Sequence, residues 1–420
     1  MKTLAILIIS TLVSLALTQQ LPGQISSIGT DPTQANIPID EILSGGPPPN
    51  GIPALGFEVD WQRASESTPA PQFVTQDEAA EWLGNFEPVI AFHIGDEAKA
   101  YPLQILTWHE IVNDTVGGAP VAVTFCPLCN SALAFDRRIP VSQAELDEVS
   151  GLNADLEASD LPADFLTTYA QQGGDADAVA GGVEVTFGVS GALYNSNMLM
   201  FDNQTSTLWS QLLGVGSVGA LTDTRLLRYP AQIVSFEEFR TSFPDAPVLS
   251  QETGFRRDYG RNPYVGYDDV NSPAFLFRGE TDGRLPPKAR VISVESPAED
   301  VAYPFEAIAE VGVVNDSVGE TPVTLFWEAG TASALDSANI AEGEDVGAVG
   351  IFSRELDGQI LEFTQTDDGV TDTQTGSTWN ILGQATSGEL AGAQLTPIVH
   401  DNTLWFAWAA FKPETRLYSE

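Results

Sequence analysis

The feature that most constrains this chain is that part of it occurs twice. Val89 to Leu133 aligns with Val291 to Leu335 at a constant offset of 202 and without a gap, and 16 of the 45 positions are identical. Chance would supply about 3, so the match reads as duplication. Ala100-Tyr101-Pro102 returns as Ala302-Tyr303-Pro304, and Val112-Asn113-Asp114 returns as Val314-Asn315-Asp316. Later stretches match more loosely: Trp209 falls opposite Trp379, and EFRTSFP ending at Pro244 resembles FAWAAFKP ending at Pro413. Two diverged tandem units follow, residues 68–250 and 285–420, joined by a Tyr- and Gly-rich segment, 251–284. At 420 residues the chain exceeds what one hydrophobic core usually serves, which agrees with that division.

Within a unit, short apolar runs alternate with turn residues. Pro88 to Ile94 and Pro120 to Phe125 are rich in β-branched and aromatic residues and are bounded by Gly or Pro, so they read as strands. Further strands are expected at Val183–Val189, Asn197–Asp202 and Thr207–Gln211. Helical spacing of apolar residues predicts short helices over Leu106–Val112 and Phe236–Ser242. Strands predominate without regular strand-helix alternation. The expected fold is therefore α+β, mainly antiparallel, built from two diverged β-rich repeats with a few short helices. The first unit carries an acidic insertion, 139–182, which reads as a solvated excursion with one or two short helices.

Before the first unit, residues 19–67 are rich in Pro, Gly, Ser and Gln and read as an extended arm, part of which could lie along the core as an edge strand. Residues 1–18 read as a secretory signal, with Lys2 followed by an uncharged run from Leu4 to Leu17. That run is shorter than the roughly 20 residues a membrane span needs, and no later stretch is long and apolar enough, so no transmembrane anchor is expected. A secreted or periplasmic location follows. With 58 acidic against 18 basic residues the formal charge is −40, which repels phosphate backbones and argues against nucleic acid as a partner. An extracellular ligand or protein is left as the partner class, and the oligomeric state stays open.

The stretch from Trp108 to Arg137, WHEIVNDTVGGAPVAVTFCPLCNSALAFDR, resembles the family known as domain of unknown function 3179. GGPPPNGIPAL (45–55), LWSQLLG (208–214), RDYGRNPYVGY (257–267), RLPPKARV (284–291) and LWFAWAAFKPETRLY (404–418) carry the same resemblance. It covers most of the chain after the signal and implies a shared fold. It attaches no activity.

Chemistry points to the only cysteines, Cys126 and Cys129. Two thiols separated by two residues can close a short disulfide, exchange electrons, or grip one soft metal ion. At the offset of 202 the second unit has Glu328 and Thr331, so the β-rich unit does not itself require the pair. His109, 17 residues before Cys126, has Val311 opposite and is absent from the second unit with the cysteines. It is a candidate third ligand or orienting base, with a hydrogen-bonded structural histidine as the alternative. Met200, two residues beyond Met198 on an expected strand, is a weaker candidate ligand for copper, and core packing is the commoner use of methionine. His400 could reach across from the second unit, whereas His93 reads as a surface strand residue.

Copper or zinc is thus the cofactor expected if the thiols bind metal, and an inert disulfide is the alternative. Cys129 is followed by Asn130, which rules out covalent haem attachment of the Cys-x-x-Cys-His kind. No phosphate-binding glycine loop suggests a nucleotide, and no hydrolase, kinase or dehydrogenase pattern is recognisable. Two function classes remain: a secreted protein with a Cys/His site for soft-metal binding or thiol redox, and an extracellular binding or structural module.

Overall fold

A computed structural model describes residues 23, 26–58, 67–153, 156–367 and 369–419, so the signal read over 1–18 lies outside the described residues. The fold is a set of mostly antiparallel sheets with short helices. One five-stranded sheet runs in the order Gln232–Ser235, Pro88–Ile94, Glu97–Pro102, Val248–Leu249, Phe73–Val74. A four-stranded sheet runs Asp401–Leu404, Arg290–Val294, Val301–Pro304, Arg416–Leu417. In each sheet the third and fourth strands pair parallel. The other ladders of both sheets are antiparallel.

Side-chain bonds recur with the sheets. Tyr101 Oη donates to Asp114 Oδ2 at 2.7 Å, and Tyr303 Oη to Asp316 Oδ2 at 2.9 Å. The Asn113 amide holds both main-chain groups of Phe187, at 2.8 and 2.9 Å, and Asn315 holds Phe363 in the same way at 3.1 and 2.8 Å. At the buried Asn113 an amide that satisfies a buried N–H and C=O together fixes one strand against the next, since leaving either unpaired costs about 1–3 kcal/mol. Trp209 Nε1 donates to Asp202, and Trp379 Nε1 to Asp372, at 3.0 and 3.1 Å.

The gapless match nevertheless fails at its end. Ala119–Cys126 turns at once into Ser131–Asp136, with Cys126 opposite Ser131. Thr321–Glu328 instead pairs with Ala348–Ser353, placing Ala348 opposite Glu328. Ser333-Ala334-Leu335 therefore has no strand counterpart of Ser131-Ala132-Leu133: residues 329–347 form an excursion that buries Leu335 and Ile340 against the first half. Strand register follows which residues fill the core, here Val349 and Ile351, rather than local identity.

The halves clasp each other. Asp401–Leu404 packs on Ser131–Asp136, and Gln232–Ser235 packs on Ala348–Ser353. One core cluster accordingly joins Val89, Val234 and Phe236 to Phe326, Phe352 and Trp379. Expected and observed elements agree at Pro88–Ile94, Asn197–Asp202 and Phe236–Ser242. The earlier helix lies at Leu103–His109 because Pro102, with its fixed φ, starts it. The expected Val183–Val189 strand is split between Val179–Glu184 and Phe187–Tyr194. The acidic insertion holds the helices Gln143–Leu152 and Ala163–Gln171. Part of the arm lies on the core: Leu43–Ser44 pairs with Phe187–Tyr194, while Ile39, Ala54 and Phe57 are buried.

Candidate functional site

Cys126 ends a fully hydrogen-bonded strand, and Pro127, suited to the second position of a β-turn, reverses the chain. Cys129 N donates to Cys126 O at 3.1 Å, and Asn130 accepts the left-handed backbone (φ 52°) that lets the next strand begin. Both thiols are free, buried and hydrogen-bonded to each other. Burial pushes the Cys126 thiol up, but bonds from the Cys129 thiol and from the main-chain N–H groups of Met198, Cys129 and Leu128 outweigh it, and the net shift is downward. Burial and the neighbouring Cys126 hold Cys129 well above the usual thiol range. Its sulfur accepts from Asn197 Nδ2 at 3.6 Å. One thiol is thus disposed to ionise and its neighbour to stay protonated.

Beside the pair stands Glu110, a residue that sequence reading passed over. It follows the Leu103–His109 helix with φ 58°, a left-handed conformation that a side chain strains. Gly312 holds the matching place after Phe305–Val311 with φ 74°. A carboxyl therefore occupies a position whose backbone suits glycine, and the offset of 202 pairs the two in the sequence itself. Glu110 is 7% exposed, and burial first and Cys126 second hold its carboxyl well above the usual range, so it tends to keep a proton.

Glu110, Leu128 and Met198 open onto a cleft of about 700 Å³. Its far wall is Tyr264 and Tyr267 from the 251–284 segment, with Phe275 and Leu276 beyond. Glu110 is the only acid among its described lining residues apart from the two phenols. Burial, then Glu110 and Cys126, raise Tyr264; burial, then Cys129, raise Tyr267. Both phenols stay neutral. The segment read as joining the two units thus also shapes the wall of this cleft.

His109 stands apart from the sulfurs. Its Nδ1 meets Pro53 O at 2.7 Å and its Nε2 meets Tyr259 Oη at 2.6 Å. A carbonyl only accepts, so Nδ1 carries the hydrogen and Nε2 accepts from the phenol. Burial lowers its pKa to about 4, so the ring is neutral with both nitrogens engaged. Met200 is buried in the same core as the cysteines, its main chain paired with Val189 and Trp209. Met198 is the methionine that reaches the cleft. His400 bonds Ile398 O through Nδ1 at 2.8 Å, and His93 is half-buried beside Phe243. Among the described residues no group of three His, Cys, Asp or Glu is placed to hold a metal ion.

A family described as "Protein of unknown function (DUF3179)" matches residues 49–415. No curated protein matches the chain, and no solved structure does.

Proposed function

The chain belongs to the DUF3179 family, and for this member we propose dithiol–disulfide exchange at Cys126 and Cys129 with a small, uncharged, apolar disulfide bound in the tyrosine-walled cleft. The observation that carries the reading is the pairing of two free thiols on one tight turn with a buried carboxyl held in a strained backbone beside them. Strain of this kind persists where the surroundings enforce it, and it clusters at functional sites. Cys126 as thiolate attacks one substrate sulfur; the S–S bond breaks, and the departing thiolate takes a proton from Glu110. Cys129 then gives its proton to the Glu110 carboxylate and attacks the Cys126 sulfur. The second substrate thiolate leaves with that proton. Two electrons pass from the protein to the substrate, and an intramolecular disulfide remains. An apolar cleft in a chain of net charge −40 favours neutral over anionic disulfides. The apolar run at Leu4–Leu17 supports a site of action outside the cytoplasm, where a disulfide persists.

Reduced protein mixed with dipyridyl disulfide tests this. Two pyridinethiones per chain are expected from the native protein, one from Cys129→Ser, and none from Cys126→Ser. Release that survives in Cys126→Ser overturns the assignment. Tight uptake of monovalent copper by the native protein, lost in both variants and unaccompanied by exchange, would instead support soft-metal binding, in which thiolates are favoured ligands.

A further inference from the structure

We infer that Asp401, contributed by the second half, is the positioning residue that keeps Cys129 the resolving thiol, its charge held beside the pair by a buried set of side chains, Ser131, Gln211 and Asn197. This rests on the dithiol reading above. Ser131 Oγ lies 2.8 Å from Asp401 Oδ2 and 3.1 Å from Gln211 Oε1; Asn197 Nδ2 donates to Gln211 Oε1 at 2.9 Å and to Cys129 Sγ at 3.6 Å. Asp401, Ser131, Gln211, Asn197 and Cys129 are all at most 2% exposed. The same strand seats the turn directly, with Leu404 N and Thr403 Oγ1 donating to Cys129 O at 2.8 and 3.0 Å.

A buried carboxylate is costly, and this one is incompletely served: Asp401 Oδ1 finds no hydrogen-bond partner among the described residues, and neither do His400 Nε2 and Arg228 Nε nearby. Sheet register puts Asp401 opposite Ser293, where Gln232 stands opposite Ala91 in the first half. A neutral amide therefore meets the sheet's needs at the equivalent place, and fold alone does not call for the acid. Burial raises the Asp401 carboxyl to about 7 against the pull of Arg228, so it is ionised where Cys129, held well above the usual thiol range, titrates. Its charge then disfavours a thiolate at Cys129, adding to the effect of burial. The other titratable groups facing the thiol are Cys126 and Tyr267, with Glu110 next to Cys126.

The test is the thiolate absorbance of Cys129 against pH in Cys126→Ser, with and without Asp401→Asn, after subtracting Cys126→Ser/Cys129→Ser. Asparagine keeps the Ser131 contact and removes the charge, so the Cys129 midpoint is expected to fall by about one pH unit, a tenfold change in ionisation. His400→Gln, beside the acid but outside that set, should leave it in place. An unchanged midpoint in Asp401→Asn, with exchange by the native protein intact, overturns the role of Asp401 alone. A shifted midpoint in a protein that fails to release pyridinethione supports Asp401 and sinks the disulfide reading alone.

Discussion

A set of strands in the first half has matching strands in the second, and the two sets differ sharply at one turn. In the first, Pro127 to Asn130 closes the hairpin with a four-residue loop and tucks two thiols under the other half's Asp401–Leu404 strand. In the second, Glu328 ends the matching strand and 329–347 wander out to pack on the first half. Backbone geometry is shared to the point that Glu110 and Gly312 adopt the same left-handed turn. Matching strands thus end either in a thiol-bearing turn or in an excursion, and matching positions carry Glu110 against Gly312 and Asp401 against Gln232.

That comparison can be strained hardest at the buried aspartates. Asp202 accepts main-chain bonds from Gln204, Thr205 and Thr207 as well as Trp209 Nε1, and Asp372 accepts main-chain bonds from Thr375 and Ser377 as well as Trp379 Nε1. Removing either carboxylate leaves buried donors unpaired, so Asp202→Ala and Asp372→Ala should each cost about 3 to 5 kcal/mol. Because a common core joins the halves, both should lower a single calorimetric transition. Two transitions in Asp372→Ala would show that the halves unfold separately.

Exchanging the turn residues probes the site. Glu110→Gly should gain about 1 kcal/mol from backbone relief while slowing pyridinethione release at least tenfold, and Gly312→Glu should lose about 1 kcal/mol, since its Cβ would come within 2.9 Å of Gln365 Oε1. A Glu110→Gly protein that is no more stable and exchanges normally would remove glutamate from the mechanism.

The smallest effect is expected where Glu328 replaces Cys126. It meets Glu238 of the first half, whose pKa burial and Glu328 raise to about 7. The folded value exceeds the ordinary 4.5, so folding takes up a proton; the stability this gives below pH 4.5 is lost as pH rises through about 7. With solvent screening, Glu328→Gln should raise stability by about 1 kcal/mol at pH 8 and leave it unchanged at pH 4. Equal melting shifts at both pH values would contradict the coupling.

Local sequence carried much of this. Alternation and bounding turn residues placed Asn197–Asp202 and Phe236–Ser242 where they stand, because strand and helix periods depend on near neighbours. Cys-Pro-Leu-Cys declared its own turn, and an offset of 202 held the Glu110–Gly312 contrast in plain view. Tertiary structure alone decided the rest. His109 was a ligand candidate by proximity in sequence, yet Pro53 and Tyr259, 56 and 150 residues away, engage its ring. Asp401 reaches Ser131 across 270 residues, and the two tyrosines of 251–284 fold back to face Glu110 and Leu128 across the cleft. Such contacts are set by which surfaces bury each other once the sheets have formed, and that choice depends on the summed packing of both halves, to which no single segment of sequence holds the key.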